Sequence, residues 1–485
     1  MSSSTTSPPA ASSPPPAGPV PRSWLIASAV AMLLIGTATF TYVMRLSDGY
    51  LFRHDGTGYF LYTYSIVTDF DTEVTDDYLQ LNARVPPGSP AMSGLRTRRP
   101  PVPDHVILPW PIGPGLVMAP FYAAGYSCEW LLASVSGREP DPFGFVPQWA
   151  YGVGSLFYGW LGIWATYLCC RRLTGSWLAW GATLALLAGG PAVFYIFFHP
   201  TMAHAASLGL VAVFILLWWR RWDGESVPIA WLGLLAGLMV IVRYQNAIFG
   251  ILLAALLLRE IYTRSWREAT LAGVIASLAF VMPLSLQLSH VVLVEREAAA
   301  AHWQSEDLTM GRNLMDLSSP FFFDALFSCR HGAIIWAPII AVALLGLLAA
   351  VRGGSWARLF LLVFLADVYL IGCLRGPPEL MVSLDAPPSA DETNWSGGHA
   401  FGMRYLTECM PLLAAGLAVL LSGARLQRLR HRTIAGWATA GAAAILVVWN
   451  GLLLLAYGVG TIDRVECVTW GEMLAGVGQA LGKLL

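Results

Sequence analysis

The residues best suited to chemistry gather in one polar stretch. Between residues 45 and 105 lie Asp48, Asp55, Asp69, Asp71, Glu73, Asp76, Asp77 and Asp104, eight of the chain's 30 acids. The core of this stretch is His54-Asp55-Gly56-Thr57-Gly58-Tyr59, followed by Asp69-Phe70-Asp71-Thr72-Glu73 and Asp76-Asp77-Tyr78. A carboxylate can remove a proton from a hydroxyl nucleophile, and Asp55 is the candidate for that role. Grouped carboxylates also suit a hard divalent cation such as Mg or Mn, which takes oxygen ligands. Asp69, Asp71, Asp76 and Asp77 are the candidates for that. The competing reading is a solvated acidic loop in which Asp76 or Asp77 caps the helix starting at Tyr78.

Further candidates sit where apolar runs end. His199-Pro200-Thr201-Met202-Ala203-His204 sets two imidazoles around a tight turn. Arg243-Tyr244-Gln245-Asn246 interrupts two apolar runs. A charge at membrane depth is costly and faces a cavity or a partner, and the guanidinium fork matches phosphate oxygens. The alternative for Arg243 is a side chain snorkelling to the interface. Ser328-Cys329-Arg330-His331-Gly332 and Asn394–Tyr405, which holds Trp395, His399 and Arg404, each lead into an apolar run. Arg404 and Glu408 are one helical turn apart, close enough to pair with each other. Thus Arg243, Arg330, His331, His399, Arg404, His199, His204, Tyr59, Gln245 and Asn246 form the candidate substrate and phosphate contacts. Trp303 and Trp395 would add aromatic walls.

The elements that position these residues are membrane spans. The chain of 485 residues is 56% hydrophobic and 12% charged, with mean hydropathy +0.58. No water-soluble globule hides that much apolar surface, so lipid is the solvent for most of it. A net charge of -1 gives no pull toward nucleic acid. Residues 1–22, rich in Ser, Pro and Ala, read as a disordered cytoplasmic tail. A signal-anchor span covers 23–44, the polar loop 45–105 follows, and further apolar runs continue to about 458. Residues 459–485 read as an amphipathic surface segment. The expected fold is an all-α polytopic membrane module over 23–458, with 11–13 transmembrane helices and short amphipathic helices in its first extracytoplasmic loop.

Arginine placement sets the orientation. Arg171-Arg172, Arg220-Arg221, the cluster Arg259–Arg267, Arg352 with Arg358, and Arg425, Arg428, Arg430 and Arg432 mark one face as cytoplasmic. The His199, Arg243, 294–331 and 375–400 segments then share the other. One conflict stands: if 109–134 crosses once, parity puts the first loop on the cytoplasmic side. Pro109, Pro111, Pro114 and Pro120 suggest a broken or re-entrant element instead, and two short spans within 147–170 are the alternative. The seven cysteines have no zinc spacing. They read as buried thiols in preference to a Cys329–Cys373 cross-link.

This layout resembles the GT-C glycosyltransferases, closest to the protein O-mannosyltransferase and aminoarabinose transferase type, in an uncharacterised bacterial branch. Asp55-Gly-Thr-Gly-Tyr59 is similar to the Asp-Glu-x-x-Tyr pattern that opens their first loop, and Asp69-Phe70-Asp71 resembles their D-x-D signatures. Trp110–Phe121 and the blocks at 199–200, 243–246, 328–332 and 395–405 are similar to recurring blocks of that branch. Position 56 departs from the pattern, with Gly in place of Glu. The resemblance implies an inverting transfer of a sugar from a polyprenyl-phosphate donor to an acceptor hydroxyl. Asp55 would be the base, Arg243 the phosphate contact with Arg330 or Arg404 in support, and a divalent cation an accessory. It also implies a bacterial inner membrane with the site on the outer face. A lipid or solute transporter without catalytic activity is the alternative. Such a protein should bury carboxylates near mid-bilayer, where this chain has only Asp367 and Glu408.

Overall fold

The computed structural model describes residues 21–92, 95–98, 106–263, 265–295, 315–374, 381–383, 394–423 and 432–484. The expectations for Asp104, Trp303, Arg425, Arg428, Arg430 and most of the N-terminal tail lie outside the described residues. In chain order the elements are α1 (Arg22–Leu46), α2 (Asp55–Thr68), α3 (Thr75–Arg84), β1 (Arg96–Arg98), α4 (Gly113–Ser136), α5 (Phe145–Arg171), α6 (Ser176–Ala188), α7 (His204–Trp222), α8 (Ile229–Val242), α9 (Gly250–Thr263) and α10 (Trp266–Leu293). They continue with α11 (Phe322–Phe327), α12 (Ala333–Trp336), α13 (Ile339–Ala350), α14 (Ser355–Cys373), β2 (Met381–Ser383), α15 (Met410–Ser422), α16 (Arg432–Val459) and α17 (Trp470–Leu484). Among the described residues, eight helical segments are long and apolar enough to cross a membrane, and Ser176–Ala188, Ile229–Val242 and Ile339–Ala350 are shorter apolar helices. The eight long segments alone fall below the expected 11–13, and counting the three shorter helices brings the total to eleven. Among the described residues, the departure from an all-helical chain is one antiparallel pair of three-residue strands, β1 and β2, in which Thr97 faces Val382. That pairing joins the first loop to the loop before α15.

Lipid-phase packing depends on close backbone approach, since apolar burial gives little drive between helices there. Gly346 of α13 and Gly416 of α15 let these helices touch backbone to backbone: a Cβ on Gly346 would lie 2.0 Å from the Gly416 carbonyl oxygen, and one on Gly416 2.2 Å from the Ala343 carbonyl oxygen. Ser265 and Glu268 form a reciprocal capping box at the start of α10.

At one end of the bundle the arginine anchors come together. Arg172 pairs with Asp223 at 2.6 Å and with Glu225 at 2.8 Å, Arg220 pairs with Glu225 at 2.7 Å, and Arg221 pairs with Glu260 at 2.6 Å. These pairs lock the ends of α5, α7 and α9 to one another. The candidate chemical residues lie at the opposite end.

The structure resolves the parity conflict through α4. This helix is continuous through Pro120, and neither it nor α5 divides into two short spans. Its start lies against Ile241 and Val242 at the end of α8, and Gly125 lies against Pro147 and Ala150 near the start of α5. The α4–α5 connection pairs with the first loop through Arg84 and Asp141 at 2.8 Å. The start of α5 meets the end of α1 through Gln148, which accepts from Leu51 N at 2.6 Å. Both ends of α4 therefore sit on the first-loop side, and α4 does not cross the bundle.

The cysteine reading needs correction. Cys329 is disulfide-bonded to Cys467, 138 residues away, and Cys373 is buried outside that bond. Arg330 Nε donates to Val465 O at 2.8 Å beside it, so the α11–α12 turn and the loop after α16 are fastened together. Apolar spacing says nothing about which loops meet, which is why Cys467 escaped notice.

The position of α4 is open to a direct check. In a Cys128→Ser background, thiols introduced by Asn82→Cys and Glu139→Cys are expected to label from one side of sealed vesicles, and Ser226→Cys from the other. Labelling of Glu139→Cys together with Ser226→Cys would mean that α4 crosses.

Candidate functional site

The site is assembled where helices lose regularity. The segment before His199, Phe194–Phe198, is a π-turn, and Tyr244–Phe249 and Arg404–Cys409 are 3-10 turns. Irregular backbone at membrane depth is tolerated where it lines a cavity or is buried in protein. Here it turns His199, Arg243 and Arg404 toward one another at the end of the bundle that carries the first loop.

Asp55 opens α2, preceded by His54 with φ of 52°. A non-glycine residue in that region is uncommon and marks a local constraint. Gly56 explains the departure from the two-acid pattern. A Cβ there would lie 2.1 Å from Thr201 Oγ1, so the first turn of α2 docks on the His199–His204 turn only because position 56 has no side chain. Asp55 Oδ2 stands 3.3 Å from Arg404 Nη1, with 17% and 15% of the two side chains exposed.

Arg404 and Glu408 do not pair with each other as their spacing suggested. The 3-10 turn between them spreads the two side chains, and Glu408, fully buried, lies 3.2 Å from Arg243 Nη1 and 3.6 Å from His204 Nδ1. Arg243 also donates to the His204 ring and to Gln245 Oε1 at 2.6 Å, while Gln245 Nε2 donates to Tyr405 O at 2.7 Å. Both guanidinium groups stack on the Tyr405 ring, Arg243 at 5.4 Å and Arg404 at 5.2 Å from its centroid. Cation–π contact of this kind strengthens as water is removed. Two cations, two carboxylates and one tyrosine thus form a single cluster where the candidate spans Tyr244–Thr263 and Arg404–Ser422 begin.

Three imidazoles flank it. The ring of His54 lies 5.9 Å from that of His199 and 6.2 Å from that of His399. Tyr59 is buried with its ring 5.7 Å from that of Trp110. His331 is buried beyond this group, and burial pushes its pKa down to about 4, so the ring is neutral. Its Nδ1 donates to Ser396 O at 2.9 Å. A cleft of about 500 Å³ opens next to His399, walled by Gly460–Glu466.

Other sequence candidates fall elsewhere. Arg330 is engaged by Val465 O and the disulfide loop. Asn246 donates to Ser207 Oγ at 2.7 Å and to Met239 O at 2.9 Å, which fastens the end of α8. The acids Asp69, Asp71, Asp76 and Asp77 lie past the far end of α2, whose 14 residues put them about 20 Å from Asp55. Asp71 Oδ1 accepts from Ser65 Oγ at 2.7 Å and from Glu73 N at 3.0 Å. Glu73, not Asp76 or Asp77, caps α3 by accepting from Thr75 N at 3.1 Å. The turn is docked on α10 by His290, whose Nδ1 lies 2.8 Å from Thr72 Oγ1. Among the described residues no three His, Cys, Asp or Glu side chains converge as a metal site. Asp71 is taken up as a turn cap, Asp77 Oδ2 is buried with no hydrogen-bond partner among the described residues, and the four acids do not converge as a divalent-ion site there. Glu408 and Tyr405 are the site residues that sequence reasoning missed. Glu408 carried a signal, a carboxylate inside a span, but helical spacing pointed it at the wrong arginine.

Asp77 yields a test of this acidic turn. Burial, then the nearby charge of Asp69, raises its carboxyl to about 8 from an ordinary 3.8. The folded state therefore binds this proton more tightly than the unfolded state, so stability is lost as pH rises from about 4 through 8. Asp77→Asn is expected to raise the melting temperature by several degrees at pH 9 and to leave it unchanged at pH 4. Equal effects at both pH values would show that the carboxyl does not carry this proton.

No family model and no curated protein matches the sequence. Among solved structures, the chain is similar to ArnT from Cupriavidus metallidurans in the apo state over 96% of this chain and 70% of that one, with 15% identity and a TM-score of 0.49. It is similar to the same protein bound to undecaprenyl phosphate over 95% and 74%, with 14% identity and a TM-score of 0.48. The archaeal oligosaccharyltransferase AglB from Archaeoglobus fulgidus, in complex with an inhibitory peptide and a dolichol-phosphate, is similar over 92% and 60%, with 12% identity and a TM-score of 0.42.

Proposed function

We propose that this chain is a GT-C-type membrane glycosyltransferase that moves a sugar from a polyprenyl-phosphate donor to an acceptor hydroxyl. The observation that carries the reading is the cluster where two candidate spans begin: Asp55 beside Arg404, and Arg243 beside Glu408, around Tyr405. A phosphate attached to a lipid tail needs a guanidinium at the depth where headgroup meets hydrocarbon, and the position of Arg243 immediately before the candidate span Tyr244–Thr263 supports it in that role. A transferred sugar needs a base on its other side, and Asp55 opens toward the first loop.

The step is a displacement. An acceptor O–H gives its proton to Asp55 as its oxygen bonds the anomeric carbon. The bond from that carbon to the phosphate oxygen breaks, and the lipid phosphate leaves with the electron pair. Attack opposite the leaving group inverts the configuration. Arg243 and Arg404 offset the charge that develops on the departing phosphate, and Arg404 orients the Asp55 carboxylate. The 500 Å³ cleft is lined by His399, whose ring lies 6.2 Å from that of His54 beside Asp55, and this supports it as the entry of the acceptor. No step is assigned to a metal. The disulfide between loops at this end suits an oxidising compartment, consistent with a site on the outer face of a bacterial inner membrane.

Transport is the alternative that Asp367 and Glu408 would favour. Glu408 is held by Arg243 in the same cluster, and Asp367 accepts from Cys409 Sγ at 3.2 Å. Reconstituted protein separates the two readings. Asp55→Asn is expected to lower sugar transfer from a polyprenyl-phosphate sugar by about 100-fold or more and to leave donor binding within about threefold. Transfer at the wild-type rate by Asp55→Asn would remove the base assignment.

A further inference from the structure

Glu408 poses a problem for a phosphate site. It is fully buried, it stands 3.2 Å from the Arg243 guanidinium, and neither carboxylate oxygen makes a hydrogen bond of good geometry among the described residues. An anion placed beside the residue that should bind phosphate competes for it. A buried carboxylate with poor hydrogen bonding is also costly to keep. Arg243 does not need it for orientation alone, since Gln245 Oε1 and His204 already fix the guanidinium.

The charges of substrate and product supply a reason. A lipid-phosphate sugar is a phosphodiester with one negative charge. The lipid phosphate left after transfer is a monoester whose second ionisation falls near pH 6, so at pH 7 it carries about -1.5 to -2. A site presenting Arg243 and Arg404 without compensation would hold the product more tightly than the donor. Asp55 and Glu408 bring the four charged side chains to neutrality, and Glu408 is the one aimed at Arg243. Resting on the transferase reading, we propose that Glu408 is an internal counter-ion that sets the site against the doubly charged product: it neutralises Arg243 when no phosphate is bound and drives lipid monoester out after transfer. It acts through Arg243 and is a positioning residue.

The inference predicts a charge-selective phenotype. Binding to the full-length protein in detergent is measured with two probes, a short-chain polyprenyl phosphate and its methyl diester, at pH 7.5. Glu408→Gln is expected to tighten the monoester by about tenfold and the diester by less than threefold. Product inhibition of transfer should strengthen in parallel, and Glu408→Asp, whose shorter carboxylate stands farther from Arg243, should shift the ratio the same way by only a few-fold. A merely structural role would alter both probes together and lower the melting temperature without changing their ratio. An unchanged ratio, or a ratio shifted toward the diester, overturns the inference. Arg243→Ala separates this from failure of the underlying reading: if neither probe binds wild-type protein more tightly than Arg243→Ala, Arg243 does not bind lipid phosphate and the transferase assignment falls with it. If Glu408→Gln does not fold, Glu408→Asp alone, with the shortened carboxylate farther from Arg243, is expected to shift the ratio toward the monoester by a few-fold, and no shift refutes the proposal.

Discussion

Two guanidinium groups share one tyrosine ring, and each has its own carboxylate. This arrangement of Arg243, Arg404, Tyr405, Asp55 and Glu408 is the constraint on which the rest of the site depends. Charges at a lipid boundary are expensive unless paired, so the chain must bring both signs to one place from distant segments. Asp55 arrives on the first helix after the opening span. Arg243 arrives at the end of α8, and Arg404 and Glu408 on the turn into α15. Losing any one member leaves a partner uncompensated where water cannot easily replace it.

The scaffold meets that demand by giving up helical regularity at one end only. At the arginine-rich end, α5, α7 and α9 keep regular ends tied by surface and half-buried ion pairs. At the site end, a π-turn and two 3-10 turns rotate the chain out of its helical register. The same turns separate Arg404 from Glu408. Gly56 completes the fit by letting α2 settle on Thr201. The first loop is thus a packed lid on the bundle, further fixed by the β1–β2 pairing and by α4, which rises on the same side.

Much of this was legible in the sequence. Apolar run lengths identified the spans, and arginine asymmetry assigned the ends because both follow from the cost of placing charge in lipid. Asp55, Arg243, His199, His204, His399 and Arg404 were singled out as polar groups beside apolar runs, and the structure gathers them. What failed had a common cause. The Arg404–Glu408 pair assumed α-helical spacing where the turn is 3-10. Asp69–Asp77 stand apart from Asp55 because a 14-residue helix separates them, a distance that closeness in sequence does not show. The Cys329–Cys467 bond joins loops 138 residues apart, and no local pattern encodes such a meeting. Parity failed for α4 because length and hydropathy record whether a helix suits lipid, not whether it crosses.

The account is tested most directly by a structure of the protein with a bound polyprenyl phosphate. It predicts the phosphate within hydrogen-bond distance of the Arg243 guanidinium, with its lipid tail leaving toward the hydrocarbon and its free oxygens facing Asp55 across the cluster. A phosphate bound elsewhere on the protein, with the Arg243–Glu408 pair intact and undisturbed, would contradict it.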